Sequence, residues 1–274
     1  MTAPPRSYLF VPADRPERFA KALASGADAV IVDLEDAVAP DAKERARVEL
    51  AAWLDAGHGP VVLRVNAIGS AWFGADVGVA ARPGVSAIML PKAERARDVA
   101  RVRGAAPHAA LLPLIETAAG IEHVREVAAA PGVQRLAFGS IDLQLDLGIT
   151  GDGDELLMFR SQIVLASRLA GLAAPIDGVC TAFDDSEALR ADAARARRFG
   201  FGGKLCIHPR QVAEVNAAFA PTEAELAWAR RVVEAAAQAA GGAVAVDGRM
   251  VDRPVLLQAE ALLRAGADRP SAAG

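Results

Sequence analysis

Polar side chains that could do chemistry stand directly after several short apolar runs of the chain. Each is preceded by apolar residues, so we expect it to be held rigidly at the end of a buried strand. The carboxylates among them can bind a metal ion or move protons, and the arginine and lysine supply positive charge. The set consists of Glu35, Asp36, Arg64, Lys92, Glu116 and Asp142.

Glu116 and Asp142 follow two apolar runs that are neighbours along the chain, so we expect their carboxylates to converge. Two oxygen ligands with no His or Cys beside them favour Mg²⁺ over Zn²⁺. Mg²⁺ usually keeps several waters and takes substrate oxygens as further ligands. An alternative stays open at this point, in which both residues are helix N-caps.

The apolar runs alternate with longer segments of helical period, which predicts repeated β–α units. The runs show little polar alternation, as is typical of parallel strands that are covered on both faces. The eight predicted strands are Ser7–Val11, Ala29–Asp33, Val61–Val65, Ala87–Leu90, Leu111–Ile115, Arg135–Phe138, Ile176–Val179 and Lys204–Ile207.

This alternation predicts an α/β fold with a parallel sheet, and eight repeats fit a (β/α)₈ TIM barrel. A doubly wound sheet is the alternative, and the absence of a G-x-G-x-x-G turn after the first strand weakens it. We predict a catalytic barrel over residues 1–220 and a helical C-terminal extension over residues 221–274. In such a barrel the chemistry lies at the carboxyl ends of the strands, where the polar residues fall.

Three features of the extension are predicted by local sequence signals. Thr222 and Glu225 have capping-box spacing at the start of a helix that we expect to reach Ala240. A short β-like stretch turns at Asp247 and Gly248, and a final helix follows Pro254.

Composition excludes several functional classes. The 274 residues are 53% hydrophobic and 23% charged, and the net charge is −4. No global basic field is available to attract nucleic acid or anionic lipid, and no apolar run is long enough to span a membrane. Two cysteines cannot form a disulfide framework, and the N-terminus lacks the pattern of a signal peptide. We therefore expect a cytoplasmic protein with a small-molecule substrate.

Ordered motifs along nearly the whole chain resemble the citrate lyase β-subunit-like proteins of the HpcH/HpaI aldolase superfamily. The resemblance extends from about residue 6 to residue 265 and includes the segment Asp247–Pro254. The other motifs that carry it are Ser7–Pro12, Asp28–Val38, Leu63–Ala67, Leu90–Glu94, Leu114–Gly120, Phe138–Asp142 and Gly203–Val212.

The resemblance implies a barrel, commonly a homotrimer, that binds Mg²⁺, or Mn²⁺ in its place, and acts on β-hydroxyacyl thioesters. The implied reaction is retro-Claisen cleavage, or the reverse, of citryl, malyl or citramalyl thioesters on coenzyme A or an acyl carrier protein. By the same resemblance Glu116 and Asp142 are the metal ligands, and Arg64 faces the substrate carbonyl or carboxylate. Glu35 and Asp36 support the waters of the metal.

The resemblance also implies that Asp252 is the acid or base at the enolate carbon, in the site of an adjacent subunit. The alternative is that Asp252 is a turn or N-cap residue before Pro254. Arg15, Lys21, Lys92 and Lys204 are the cations available for the phosphates of coenzyme A, and the resemblance favours Arg15 and Lys21.

One departure from the family pattern lies beside the predicted metal ligand. Some relatives carry an acid directly before the metal-binding Asp, whereas this chain has Ile141. The acyl group itself is not revealed by the sequence. Candidate residues for lining its pocket are Trp72, Phe73, Leu143 and Leu145.

Three other functions remain open on the sequence alone. The chain could be a citrate lyase β-subunit that acts on a citryl-acyl-carrier thioester beside partner subunits. A Schiff-base aldolase would use Lys92 or Lys204, and that chemistry needs a lysine with a depressed pKa. A degenerate barrel that binds a coenzyme A ester without turnover is the non-enzymatic alternative.

Overall fold

The computed structural model describes residues 4–238 and 244–267. These residues fall into two compact units, of which the larger is Pro5–Ala217 and the smaller comprises Pro4 and the described residues from Ala218 onward.

The larger unit is a closed barrel of eight parallel strands that follow one another in sequence order. The barrel closes where the eighth strand pairs with the first, with Leu9 opposite Cys206. The predicted α/β barrel is therefore confirmed. Its strands are β1 Ser7–Pro12, β2 Ala29–Asp33, β3 Val61–Arg64, β4 Val85–Leu90, β5 Ala110–Ile115, β6 Ala137–Phe138, β7 Ile176–Asp177 and β8 Gly203–Cys206.

Helices connect successive strands of the barrel. Two of them begin at side-chain caps, because Thr117 Oγ1 accepts the amide of Gly120 and Asp185 Oδ1 accepts the amides of Glu187 and Ala188. The helices are α1 Phe19–Leu23, α2 Lys43–Asp55, α3 Phe73–Ala80, α4 Ala96–Ala105, α5 Ala118–Glu122, α6 Val124–Ala128, α7 Ser140–Leu147, α8 Leu157–Leu169, α9 Ser186–Arg198 and α10 Arg210–Ala218.

The inside of the barrel is filled with apolar side chains from every strand. Leu112 and Leu114 both point inward because side chains two residues apart share one face of a strand. Polar groups are therefore confined to the open ends of the barrel, as in other barrels of this type. The buried residues of this core are Tyr8, Ile31, Val62, Ala87, Met89, Leu112, Leu114, Ala137, Ile176 and Leu205.

The smaller unit contains two helices and a two-stranded hairpin. The predicted capping box is confirmed, because Thr222 and Glu225 exchange hydrogen bonds between side chain and amide at 2.7 and 3.1 Å. Residues 239–243, where we predicted the end of the first helix, lie outside the described residues. The elements are α11 Glu223–Gln238, β9 Val244–Val246, β10 Arg249–Val251 and α12 Arg253–Ala267.

The hairpin turns at Asp247 and Gly248, as the sequence predicts. Their φ angles are +52° and +74°, the pattern of a type I′ turn, and a glycine adopts it without a steric penalty. In the part of the chain that the structure describes, no helix has the length and apolarity needed to cross a bilayer.

Candidate active site

A cavity of about 330 Å³ opens at the carboxyl ends of the barrel strands. Acidic side chains and one arginine line part of it, and apolar side chains line the rest. The charged residues at the cavity are Asp33, Asp36, Arg64, Glu116 and Asp142. The main apolar ones are Phe10, Leu114, Phe138, Ile141, Val179, Leu205 and Ile207.

Glu116 is deeply buried at this cavity, with 1% of its surface exposed. It follows the last residue of β5, and its Oε1 accepts the amide of Lys92 at 2.8 Å. Burial, together with the nearby carboxylates of Glu35 and Asp142, raises the pKa of Glu116 to about 8. A buried carboxyl surrounded by like charges is a site that a cation would stabilise.

Gly139 makes room for Glu116. A Cβ at Gly139 would overlap the Cβ and Oε2 atoms of Glu116, so the next strand can carry no side chain there. A similar arrangement occurs one strand further on, where a Cβ at Gly178 would overlap Oγ of Ser140. Glycines thus allow polar side chains of one strand to lie directly against the backbone of the next.

Asp142 lies in the first turn of α7, half-buried at the edge of the cavity. The N-cap of α7 is Gly139, which has no side chain to accept the first amides. Neither predicted metal ligand is a helix cap, since Thr117 caps α5 and Gly139 precedes α7. The N-cap alternative is therefore wrong for both, and the uncapped start of α7 faces the cavity with positive partial charge.

Arg64 is held in the cavity by two acids of the β2 end. Its Nε and Nη2 donate to the two oxygens of Asp33 at 2.7 Å, and its Nη1 lies 3.2 Å from Oε2 of Glu35. Burial would lower the pKa of Arg64, but the carboxylates of Asp33, Glu35 and Glu116 together outweigh that effect and the pKa is raised. Arg64 is therefore a permanently charged group in a fixed orientation.

Glu35 bridges the two cations of the site. Its Oε1 pairs with Nζ of Lys92 at 3.0 Å, whereas the buried Oε2 accepts no hydrogen bond from the described residues despite the nearby Arg64. Burial raises the pKa of Glu35, although Arg64 opposes the shift. Lys43 stabilises the loop that follows β2, because its Nζ donates hydrogen bonds to the carbonyl oxygens of Leu34 and Glu35.

Lys92 adopts a left-handed backbone conformation, with φ at +49°. Such a conformation is uncommon for a residue with a side chain, and here it directs the amide toward Glu116. Burial would lower the pKa of the Lys92 ammonium, but the carboxylates of Glu35, Glu116 and Asp36 together outweigh it and raise the pKa. Lys92 therefore lacks the depressed pKa that a Schiff-base nucleophile needs.

Lys204, the second lysine that a Schiff-base aldolase could use, does not lie at the mouth of the barrel. Leu205, its neighbour in β8, belongs to the barrel interior, so Lys204 points to the outside of the barrel. There its Nζ lies 2.8 Å from Asp177 Oδ2 and 2.5 Å from Asp192 Oδ2. Burial would lower the Lys204 pKa, but the two carboxylates outweigh it and raise the pKa, so this lysine is no nucleophile.

The donor set fits a hard divalent cation. Glu116 and Asp142 both reach the cavity, and burial together with the charges of Glu35 and Asp142 raises the cost of ionising Glu116. The described residues contain no group of three or more acidic, His or Cys side chains arranged to hold a metal. A cation bound by two carboxylates must complete its shell with water and substrate oxygens, which is the habit of Mg²⁺.

Several predicted site residues do not line the cavity. Arg15 and Lys21 are exposed in the segment after β1. Asp252 belongs to the smaller unit, where it is exposed and its Oδ1 accepts the amide of Val255 at 3.2 Å as the N-cap of α12. Asp36, by contrast, does line the cavity and is exposed at its wall. The functional roles given to these residues remain predictions.

The predicted pocket residues also need correction. Phe73 and Leu143 are buried in the core, and Leu145 is exposed. The Trp72 ring lies 5.0 Å from the ammonium of Lys43 and supports the loop instead. None of the four is among the residues that line the cavity.

Two cavity residues were missed by the sequence analysis. Asp33 orients Arg64, and Ser140 lies at the start of α7 beside the acids. Asp33 carried a signal, since it precedes Glu35 in the same acidic run. Ser140 gave none, because no local signal marked α7.

Comparisons with known proteins identify similar chains over nearly the whole length of this one. The family model HpcH/HpaI aldolase/citrate lyase matches residues 6–209. A citrate lyase subunit beta-like protein of Deinococcus radiodurans is 43% identical, over 96% of this chain and 99% of that protein. A (3S)-malyl-CoA thioesterase of Cereibacter sphaeroides is 38% identical, over 94% of this chain and 96% of that protein.

A solved structure extends the likeness to the fold. The CitE protein of Mycobacterium tuberculosis, in complex with magnesium, acetoacetate and coenzyme A, superimposes with a TM-score of 0.87 at 39% identity. The match covers 97% of this chain and 100% of that one. The chain therefore belongs to the HpcH/HpaI aldolase/citrate lyase family.

Proposed function

We propose that the protein is a Mg²⁺-dependent carbon–carbon lyase that cleaves, or forms, β-hydroxyacyl thioesters of coenzyme A. The observation that carries the proposal is the buried Glu116, which shares one cavity with Asp142 and Arg64. Magnesium and coenzyme A are bound together by the similar CitE protein. Glu116 and Asp142 would hold Mg²⁺, with Mn²⁺ as a substitute.

The reaction divides a 3-hydroxyacyl thioester into a thioester and a 2-oxo acid. The hydroxyl loses its proton, the bond between the hydroxyl carbon and the thioester α-carbon breaks, and its electron pair moves onto the thioester as an enolate. The enolate carbon then takes up one proton. Bound Mg²⁺ would supply Lewis-acid charge at the hydroxyl and carboxylate oxygens of the substrate.

The chain's own residues supply the remaining charge and orientation. Arg64, fixed by Asp33, places permanent positive charge where the negative charge of the enolate develops. The uncapped amides at the start of α7 can bind the substrate carboxylate. Glu35 and Asp36 would orient water or substrate hydroxyl beside the metal, as the resemblance implies.

Asp252 is proposed as the acid that protonates the enolate carbon, in the site of a neighbouring copy of the chain. This proposal rests on the resemblance of the motif that contains Asp252. A homotrimeric assembly and a cytoplasmic location are proposed with it. Mixed oligomers test it, because inactive Asp252→Asn and Glu116→Gln subunits should restore activity when they are combined. Light scattering would give the number of chains.

Arg15, Lys21 and Lys92 are proposed to bind the phosphates of coenzyme A. All three are exposed cations, in the segment after β1 and in the loop after β4. Replacing Arg15 or Lys21 by Met should raise KM for the coenzyme A thioester while KM for a short pantetheine thioester stays unchanged.

Thioester hydrolysis is a second candidate function, favoured by the name of the Cereibacter relative. The two reactions release different products. A lyase yields a 2-oxo acid and leaves the thioester intact, whereas a thioesterase releases free coenzyme A thiol and the hydroxy acid. Assaying both products in one reaction separates the functions, and a citryl-acyl-carrier thioester in the same assay tests the citrate lyase β-subunit alternative.

The central experiment compares Glu116→Gln and Asp142→Asn with the wild type in Mg²⁺ titration and in thioester cleavage. We expect both variants to lose Mg²⁺ binding and cleavage, and EDTA to stop the wild type. Asp146→Asn is the matched control, since Asp146 lies one turn further along α7 and outside the cavity. Cleavage that survives EDTA would contradict the metal mechanism.

A further inference from the structure

We propose that Lys43 is a positioning residue for the reaction, which acts by fixing the backbone at Glu35. The side chain of Glu35 then reaches the two cations at the barrel mouth, Arg64 and Lys92. This inference rests on the proposed function, and it gives a role to buried groups that the mechanism does not use. It follows from a hydrogen-bond network that lies outside the residues that line the cavity.

Lys43 is the first residue of α2 and is only 4% exposed. Lysine is almost never buried to this extent without partners, because its ammonium loses the water that surrounds it. Here Nζ donates to the carbonyl oxygens of Leu34 at 2.8 Å and of Glu35 at 2.7 Å, and the Trp72 ring lies 5.0 Å away. Lys43 is not among the residues that line the cavity, so its contacts are with the loop after β2 and not with a ligand.

Two successive carbonyl groups of this loop present their negative ends to one ammonium. Without a cation between them the two oxygens would repel each other, and the backbone would turn one of them away. Lys43 converts this repulsion into two hydrogen bonds, since an ammonium carries three donors. The backbone conformation at Leu34 and Glu35 therefore depends on the lysine.

Asn66 holds the Leu34 carbonyl as well. Its Nδ2 donates to that oxygen at 2.9 Å and to Oδ2 of Asp76 at 2.6 Å, and its amide donates to the same Oδ2 at 2.8 Å. Arg47 pairs with the other oxygen of Asp76 at 3.2 Å. Asn66 and Asp76 are both buried, so α2, α3 and the segment after β3 all support one peptide group of the loop.

This network meets the candidate active site at Glu35. The amide of Glu35 donates to Asp33 Oδ1 at 2.9 Å, so its backbone is held at the nitrogen and at the oxygen. Its Oε2 lies 3.2 Å from Nη1 of Arg64, and its Oε1 lies 3.0 Å from Nζ of Lys92. A rotation of the backbone would carry the carboxylate away from both cations. Lys43 is thus coupled to the placement of charge at the mouth without lining the cavity.

The first test measures Mg²⁺-dependent cleavage of malyl-, citramalyl- and citryl-CoA by Lys43→Met. We expect kcat to fall at least about tenfold, with KM changed less than about twofold, since a misplacement of about 1 Å can cost roughly 100-fold in rate. Lys43→Arg keeps a cation with several donors and should recover part of the loss. Arg45→Met is the matched control, because it removes a cation from the same helix whose side chain is 67% exposed.

A double-mutant cycle shows whether Lys43 acts through Glu35. Once Glu35→Ala has removed the carboxylate, its placement no longer matters, so adding Lys43→Met should lower kcat by less than about threefold. A kcat that falls by the product of the two single losses would contradict the inference. An unchanged kcat in Lys43→Met would contradict it as well.

Hydrogen exchange of the loop amides is a readout that needs no turnover. The amides of Glu35, Ala37 and Val38 all donate to acceptors within the segment from Asp33 to Glu35. In Lys43→Met we expect them to exchange at least about tenfold faster, while the amides of α2 exchange as in the wild type. Unchanged exchange in the loop would overturn the inference.

A second variant covers the case in which Lys43→Met does not fold, which its thermal unfolding would reveal. Asn66→Ala removes one donor to the Leu34 carbonyl and keeps the charge of Lys43. We expect it to accelerate exchange of the same loop amides, by a smaller factor, and to lower kcat in the same direction. Loop amides that exchange as in the wild type would again overturn the inference.

The outcomes separate this inference from the proposed function. A wild type that cleaves none of the three thioesters would overturn the lyase function, and faster loop exchange in Lys43→Met would still support the role of Lys43 in fixing Glu35. Cleavage by the wild type that Lys43→Met leaves unchanged would overturn the inference and leave the lyase function standing.

Discussion

The barrel contains two clusters of buried charge that differ in how completely they are paired. The mouth cluster, at the carboxyl ends of the strands, consists of Asp33, Glu35, Arg64, Lys92 and Glu116. The interlayer cluster, between the outside of the barrel and its helices, consists of Arg160, Asp177, Asp192 and Lys204. Only the first opens onto a cavity.

The interlayer cluster is balanced. Asp177 receives Nε of Arg160 at 3.0 Å and Nζ of Lys204 at 2.8 Å, and Lys204 reaches Asp192 as well. Burial would raise the pKa of Asp177, but Lys204 and Arg160 outweigh it and lower the pKa. Asp192 also pairs with Arg195 at the edge of the cluster, so both acids are fully paired and no negative charge is left for a ligand.

The mouth cluster has three acids for two bases, and Asp142 and Asp36 add further negative charge at the cavity. The pKa of Glu116 is raised to about 8, in contrast to the lowered pKa of Asp177. The difference teaches that burial of charge alone does not mark a functional site. A functional site is marked by unpaired negative charge at the edge of a cavity, because a cation or a proton must neutralise that charge.

The largest effect is expected from Asp177→Asn. Removing this charge leaves Arg160 and Lys204 short of a partner in a buried position, which typically costs about 3–5 kcal/mol of folding free energy. Urea unfolding would measure it. Asp55→Asn is the control, because the exposed pair with Arg82 should contribute within about 1 kcal/mol. Equal losses in the two variants would contradict the view that the interlayer cluster stabilises the fold.

Gly139→Ala should damage the mouth cluster through geometry alone. The added Cβ would displace Glu116, and a misplacement of about 1 Å can cost roughly 100-fold in rate. We expect weaker Mg²⁺ binding as well as slower cleavage. Gly104→Ala in α4 is the matched control, since open space surrounds that position. Unchanged Mg²⁺ affinity in Gly139→Ala would remove Glu116 from the ligand set.

The pH dependence of stability should separate the clusters. In EDTA the folded protein keeps a proton on Glu116 that an unfolded chain releases near pH 4.5. The folded state then binds more protons, so stability falls as pH rises toward about 8, by at most about 1.4 kcal/mol per pH unit. The decrease in Tm with rising pH should be smaller in Glu116→Gln, and excess Mg²⁺ should also reduce it in the wild type. A Tm that rises with pH over this range in EDTA would contradict the raised pKa.

The smallest effect is expected from Lys92→Met. The Lys92 side chain is 39% exposed and its pair with Glu35 is at the surface of the cluster, so the pair contributes little. We expect kcat to change less than tenfold, since the amide of Lys92 still reaches Glu116. Total loss of cleavage, with borohydride trapping of substrate on the wild type, would revive the Schiff-base mechanism.

Much of the fold follows from local patterns. The predicted strand Ala29–Asp33 agrees with β2 at both ends, and the Thr222 and Glu225 capping box forms as expected. The barrel pattern predicts a helix after each strand, but no local signal marked α3, α7 or α10 individually. The residues of α7, from Ser140 to Leu147, carry apolar and acidic residues without a clear helical stripe, and a glycine rather than a capping side chain precedes them.

The sequence by itself determined that polar residues recur after buried apolar runs, because strand periodicity and parallel topology place such residues at one end of a barrel. It could indicate Glu116, Asp142 and Arg64 together for that reason. Only the tertiary structure decided that Lys204 faces outward and that Asp33 holds Arg64. Those outcomes depend on the side of the barrel to which each strand residue points and on contacts between distant strands, which no local spacing in the chain specifies.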